Sequence, residues 1–252
     1  MVSKAGTHRA RGIDRVIATF EYLHQCKRPS RVAEIAHGIG APRSTAYDIT
    51  NRLIEAGLLE ALDDGTVYFG HAMHYYGADY LASKDMMKEA EKEISKLSET
   101  WGETAQFCVL DGNKYTVALT KPGHKAFRIS SDVGIKVPIP WTASGRLLLQ
   151  HMSPQQILDF IPDDDFLLVD GSQLDKAKFL DDISTARENG YCVTTGLVDN
   201  FTMCMATPIK NSTAKAVATI CFVVPRDTRG DRYEELLEAL RNSANHLGNY
   251  AN

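Results

Sequence analysis

The chain has 252 residues, 44% hydrophobic and 24% charged, with a formal net charge of −4. That length suits one large domain or two smaller ones with a real core, and the net charge excludes a chain coated in basic residues. Charge is nevertheless uneven: residues 1–52 hold nine Lys/Arg against four Asp/Glu, a net of +5, which leaves −9 for the rest. Such asymmetry is expected when one end meets nucleic acid and the other does not. No apolar run approaches the roughly 20 residues of a membrane helix. The start, MVSKAGTHRARG, lacks the apolar segment of a signal peptide. Cys26, Cys108, Cys192, Cys204 and Cys221 contain no C-x-x-C pair; they read as free thiols of a cytoplasmic protein.

Residues 1–8 read as disordered. Gly12–Cys26 is an amphipathic helix with Ile13, Val16, Ile17, Phe20 and Leu23 on one face. Arg9, Arg11 and Arg15 near its start either reach phosphate or form a solvated helix end. Ser30–Gly57 then predicts two short helices. Ser30 is placed to cap the first, whose apolar face is Val32, Ile35 and Ala36. Gly38-Ile39-Gly40-Ala41-Pro42 breaks the pattern, and Pro42 suits the first position of a second helix running to about Ala56. That helix has Ala46, Ile49, Leu53 and Ile54 on its apolar side and Arg43, Ser44, Thr45 and Tyr47 at its hydrogen-bonding start. Leu58–Leu62, Asp63-Asp64-Gly65 and Thr66–Phe69 follow as strand, turn and strand. Two helices joined by a glycine turn, then a hairpin, predict a winged helix-turn-helix.

His71–Ser83 predicts a linker helix whose Tyr75, Tyr76 and Tyr80 want a partner surface, and Met86–Trp101 a second amphipathic helix. The pattern then changes. Strands are expected over Thr104–Leu110 and Tyr115–Thr120, joined by Asp111-Gly112-Asn113, and over Phe127–Ser130 and Lys136–Ile139. Helices are expected over Thr142–His151, from Ser153-Pro154, over Leu174–Asn189 and over Asp231–Leu247, with strands at Tyr191–Thr194, Cys204–Lys210 and Ala216–Val224. This is an α+β domain around an antiparallel sheet.

Four separated blocks resemble the IclR family of transcriptional regulators: AEIAHGIGAPRSTAYDITNRLIEAGLLE with YFG, then WTASGRLLL, ARENGYCVTTG and CMATPIKNSTAKAVATICF. The resemblance spans about residues 11–250. It implies a winged helix-turn-helix over 1–70, a linker helix over 71–84 and a GAF-like effector-binding domain over 85–252. It also implies dimers or tetramers on double-stranded, (pseudo)palindromic operators, and control by a small-molecule effector. Arg43, Ser44, Thr45, Tyr47, Arg52, Arg11 and Arg31 are the DNA-contact candidates. The implied effector lining is Trp141, Thr142, Ala143, Ser144, Gly145, Cys204, Cys221 and Val223.

The sequence departs from the family pattern at Asp48, where Arg is usual, and at Trp141, where His is common. GLVDNFTMC lacks the usual Glu and Gly, and Cys221 and Val223 replace pocket serines of some members. This weakly polar wall suits a compact ligand with one carboxylate or carbonyl end and an apolar or aromatic body, with Trp141 available for stacking. The segment Ala143-Ser144-Gly145 opens a helix whose N–H groups suit that polar end, or is simply capped by Thr142.

Enzymatic signals are weak: the chain has no G-x-S-x-G, H-E-x-x-H, Gly-rich phosphate loop or dinucleotide fingerprint. His71 with His74 has metal-ligand spacing but no third ligand, and Asp163-Asp164-Asp165 reads as a solvated loop rather than a cation site. By the resemblance Cys204 and Cys221 lie on neighbouring strands, as redox partners or as buried thiols, the second being favoured. No cofactor is expected. A DNA-free ligand-binding or scaffold protein is the alternative, and an enzyme a more remote one.

Overall fold

The computed structural model describes residues 4–82, 84–124 and 132–251, and contacts divide the chain into Met1–Ser83 and Lys84–Asn252. In the first unit α1 spans Lys4–Cys26, so residues 4–8 are helical rather than disordered. Helices α2 (Val32–Gly38) and α3 (Arg43–Glu55) follow. The core joins Leu23 of α1 to Val32, Ile35, Ala36, Ala46 and Leu53, with Phe20 and Val16 packed alongside. The buried stripe of α1 is narrower than its periodicity suggests. Ile13 and Ile17 stay 61% and 50% exposed, because this small unit packs on one side of the helix only.

Gly40, at φ +61°, makes the left-handed turn between α2 and α3 that a side chain would strain. Pro42 is the N-cap of α3 rather than its first helical residue; its carbonyl accepts from Ala46 N at 3.0 Å. Ser30 is not the cap of α2 either. Glu34 takes the Arg31 N–H at 3.0 Å, and this bond holds the exposed Glu34 carboxyl below its usual range. Ser30 is instead fully buried and paired with the hairpin: its N–H reaches Val67 O at 3.1 Å and its carbonyl accepts from Val67 N at 2.9 Å. Buried backbone needs such partners, and the sheet supplies both where a cap would supply one.

The wing is β1 (Leu59–Ala61) against β2 (Val67–Phe69), shorter than expected. Leu58 N is used by Leu53 O as the helix closes, and Leu62 N bonds Thr66 O as the turn begins. Asp64 accepts from the Thr66 amide and hydroxyl, with Gly65 at φ +77° completing the reversal. Helix α4 (His71–Ala82) starts from a close approach: a Cβ at Gly70 would lie 2.4 Å from Gly57 O.

The second unit opens with α5 (Asp85–Trp101), then β3 (Thr104–Asp111), β4 (Lys114–Lys121) and β5 (Lys136–Pro138). A 3-10 turn at Ile139–Trp141 leads into α6 (Ala143–Leu148), which stops short of the expected His151. Helix α7 (Pro154–Phe160) has Ser153 as cap in a reciprocal pair with Gln156, as its sequence predicts. Helix α8 (Lys176–Asn189) is capped by Asp175, two residues later than expected. Strands β6 (Cys192–Thr195), β7 (Thr202–Lys210) and β8 (Ala216–Pro225) precede α9 (Asp231–Gly248). The strand expected over Phe127–Ser130 lies outside the described residues.

The six strands form one antiparallel sheet in the order β5-β4-β3-β8-β7-β6. One face buries Phe107, Met205, Ile220 and Phe222 against Ile94 and Leu97 of α5 and Leu240 and Leu247 of α9. The other buries Cys108, Val117 and Cys221 against Leu147 of α6, Ile157 of α7 and Phe179 and Ile183 of α8. Coverage on both faces explains why β8 reads as a continuous apolar run rather than an alternating one. Replacing Ser30 by Pro removes its N–H and leaves Val67 O unpaired in the wing. The expected cost is about 1–3 kcal/mol of stability, measured by urea unfolding followed by far-UV circular dichroism.

Candidate functional site

Two places in the chain concentrate chemistry. On α3, Ala46, Thr50 and Leu53 face the core, and Thr50 satisfies its hydroxyl on Ala46 O at 2.8 Å. The opposite side carries Arg43, Ser44, Tyr47, Asp48, Asn51 and Arg52, all exposed. At three- and four-residue spacing these line up along one side of the helix. Thr45 is half-buried at the edge of that stripe. Asn51 was missed by sequence reasoning, although it repeats the interval from Ser44 through Tyr47. Of the other contact candidates, Arg31 is exposed beside α2, and Arg15 is half-buried on α1. Arg9 and Arg11 belong to α1, but their side chains lie outside the described residues. A protruding helix side with guanidinium, hydroxyl and carboxamide donors fits the edges and phosphates of a duplex groove.

The second place is where α6 meets the sheet. Thr142 Oγ1 accepts from Gly145 N at 2.9 Å and starts the helix. Gly145 is obligatory: a Cβ there would lie 2.4 Å from Ile139 O. Ala143, Ser144 and Gly145 are fully buried. In the sheet, Cys108 Sγ and Tyr115 Oη are 2.9 Å apart, and Gln106 Oε1 accepts from Tyr115 at 3.5 Å and from Cys221 at 3.7 Å. Cys204 and Val223 are register partners on β7 and β8, and both are half-buried.

Three groups here, Tyr115, Cys204 and Cys221, are held in their neutral forms. Hydrogen bonding with Cys108 and then burial push the Cys221 thiol well up, and bonding with Cys221 does the same for Cys204. Burial raises the Tyr115 phenol well above its usual value. Protonated thiols are poor nucleophiles, and Cys204 and Cys221 are both free thiols. Two polar atoms are left over: Gln106 Nε2 and Ser144 Oγ are buried without a hydrogen-bond partner. Sequence reasoning missed Gln106 and Tyr115; the one signal was a carboxamide between the apolar Ala105 and Phe107. Trp141 is partly buried, and its Nε1 donates to Asp165 O at 2.9 Å, so its indole N–H is already engaged.

Other candidates lead nowhere. The Asp165 carboxylate pairs with Lys114 and that of Asp163 with Lys176. His71 packs its ring on Tyr75, and no group of three or more metal-binding side chains occurs among the described residues. No helix of the described residues is long and apolar enough to cross a membrane. Gly145→Ala is expected to lose about 1–3 kcal/mol of stability through overpacking against Ile139, readable as a lowered urea midpoint.

Two family models match the chain. Residues 12–63 match the IclR helix-turn-helix domain, and residues 78–249 match the bacterial transcriptional regulator IclR C-terminal domain. Over 227 residues the chain is 24% identical to the HTH-type transcriptional regulator KipR of Bacillus subtilis, covering 88% of this chain and 89% of that one. It is also 24% identical over 238 residues to the HTH-type transcriptional repressor AllR of Escherichia coli, covering 93% and 88%. An IclR transcriptional regulator from Alicyclobacillus acidocaldarius superposes with a TM-score of 0.85 at 19% identity, over 96% of this chain and 99% of that one. An IclR homolog of Microbacterium hydrocarbonoxydans, complexed with 4-hydroxybenzoate, gives 0.81 at 21% identity, over 95% and 98%. The family is one of regulators, not enzymes, and its members join a DNA-binding helix-turn-helix to an effector-binding domain. This chain belongs to the IclR family of bacterial transcriptional regulators.

Proposed function

We propose that the protein is a cytoplasmic repressor of a catabolic operon, released or retuned by a compact organic acid or aromatic effector. The exposed donor stripe of α3 carries the DNA half of this reading: Arg43, Ser44, Tyr47 and Asn51 face the major groove, with Thr45 at the margin. Arg52, Arg31 and Arg11 take phosphates. Residues 1–70 form the DNA-binding domain, 71–84 the linker helix and 85–252 the effector domain; the division of contacts after Ser83 supports the second of these boundaries. The similarity to a repressor, AllR, supports the sign of regulation.

The unpartnered Ser144 hydroxyl and Gln106 amide carry the effector half. Buried polar atoms without partners are costly, and a ligand oxygen would satisfy both. The neutral thiols and Val223 around them favour an apolar body over a polyhydroxy one. The 4-hydroxybenzoate found on the Microbacterium homolog has that character. Binding in one domain then shifts the placement of the other and changes operator affinity. Tyr75, Tyr76 and Tyr80, at 58%, 61% and 57% exposure on α4, join two chains into a dimer that reads two half-sites.

Four measurements check this reading. Arg43→Ala should weaken operator binding by about 1–3 kcal/mol in a gel shift if the guanidinium pairs with guanine; unchanged affinity would remove α3 from the groove. Val223→Asp should keep operator binding and lose the ligand response. A thermal-shift response confined to polyhydroxy acids would contradict the pocket chemistry. Light scattering of the wild-type chain at micromolar concentration should show a dimer or tetramer, and Tyr75→Arg with Tyr76→Arg should shift it toward monomer.

A further inference from the structure

A cavity of about 340 Å³ lies between α9, the end of β7 and the turn that joins α8 to β6. It exists because β6 is short. Cys192, the first residue of β6, stands opposite Ala206, so residues 207–210 of β7 have no neighbouring strand on that side among the described residues. A peptide strand is a poor occupant of the gap, since Pro208 lacks an N–H and an edge lysine follows. The α9 side is fixed at close range. Thr207 Oγ1 donates to Leu240 O at 3.1 Å, and a Cβ at Gly248 would lie 3.2 Å from Lys210 O. No residue of α6 lines the cavity, which separates it from the proposed effector pocket.

The polar lining is Arg241, Lys210, Asn189, Asn245 and the already engaged Thr207 hydroxyl, with no acidic residue. This is an unusual composition where residues 53–252 carry a net −9. The Arg241 guanidinium lies 5.0 Å over the Tyr191 ring, a contact that positions it and leaves its N–H groups unused. Neither those groups nor the Lys210 ammonium meets an acceptor among the described residues, and the Asn189 and Asn245 carboxamides are equally unengaged. Two cations without a counter-charge favour a dianion. A planar guanidinium fork beside an ammonium matches phosphate oxygens, and a phosphate monoester carries close to two negative charges at neutral pH. Carboxamides both donate and accept, which suits hydroxyl groups. The apolar lining is small, chiefly Pro208 and Ala244, so it offers little to an aromatic body. The volume is that of a small ligand. We propose that this cavity binds the phosphate monoester of a small hydroxylated molecule, with Arg241 and Lys210 on the phosphate and Asn189 and Asn245 on the hydroxyl groups.

Glycerol 3-phosphate and glucose 6-phosphate, titrated calorimetrically into the full-length chain, test this, with glycerol and glucose as controls. Expected is one saturable site per chain for at least one of the two esters and none for the controls. Arg241 and Lys210 are exposed, so Arg241→Gln and Lys210→Gln should fold normally and each weaken that site at least tenfold. Lys88→Gln, which removes an exposed charge from α5, and Val223→Asp, in the other pocket, should bind the ester as wild type does. The proposal is overturned if neither ester binds saturably, if Arg241→Gln and Lys210→Gln bind as wild type does, or if Lys88→Gln or Val223→Asp weakens binding as much as they do. It is also overturned if Arg241→Gln lowers operator affinity with no ester present, since the cations would then serve DNA. Failure of the effector reading appears separately, as an unaltered ligand response of Val223→Asp at the operator.

Discussion

The second unit depends on one strand: β8 lies between β3 and β7 and bonds to both. Side chains alternate along a strand, so this single element serves two tasks. Phe222 and Val224 enter the core under α5 and α9, while Cys221 and Val223 face the side covered by α6. A slip of one residue would exchange the two sets. The register is held from both flanks, through Gln106 opposite Cys221 on β3 and Cys204 opposite Val223 on β7. Strands so distant in the chain close a long loop, at an entropic cost that their buried faces must offset.

Against that frame α6 is set at short range by backbone rather than by bulk. The Ile139 carbonyl approaches so closely that only Gly145 fits, and Thr142 supplies the helix cap. Arg146 draws the Pro140 and Thr142 carbonyls together from the inside. Burial lowers its pKa, yet it stays cationic, since an arginine starts from far above neutrality and Asp182 opposes the shift. The start of α6 is therefore held by three unrelated contacts, which fix its position against the sheet.

The buried polar atoms beside it run the other way. Ser144 Oγ and Gln106 Nε2 are desolvated without a partner, a cost that most buried polar groups avoid. Their neighbours are thiols and a phenol held protonated by burial and by one another, so the lining is uncharged but not inert. The DNA-binding unit shows the converse economy. Thr50, polar and fully buried on α3, is satisfied by Ala46 O, and Ser30 by the wing, so the polar groups left over lie on the exposed side of the helix.

Much of this was legible in the chain itself. The glycine turn at Gly40, the Asp-Gly hairpin, the caps at Thr142 and Ser153 and the positions of the helices follow from local chemistry, which adjacent residues settle among themselves. The membership of Ala143, Ser144 and Gly145 in one buried wall came from resemblance, and the close approach of Ile139 O gives it a physical reason. Ser30 as a sheet partner, Ile13 and Ile17 left outside the core, Gln106 with its spare amide and Arg146 buried against the Pro140 and Thr142 carbonyls were not legible. Each depends on a partner distant in sequence or on a surface that another element does or does not cover. Periodicity records which residues prefer burial; only the tertiary structure decided which of them were covered, and by what.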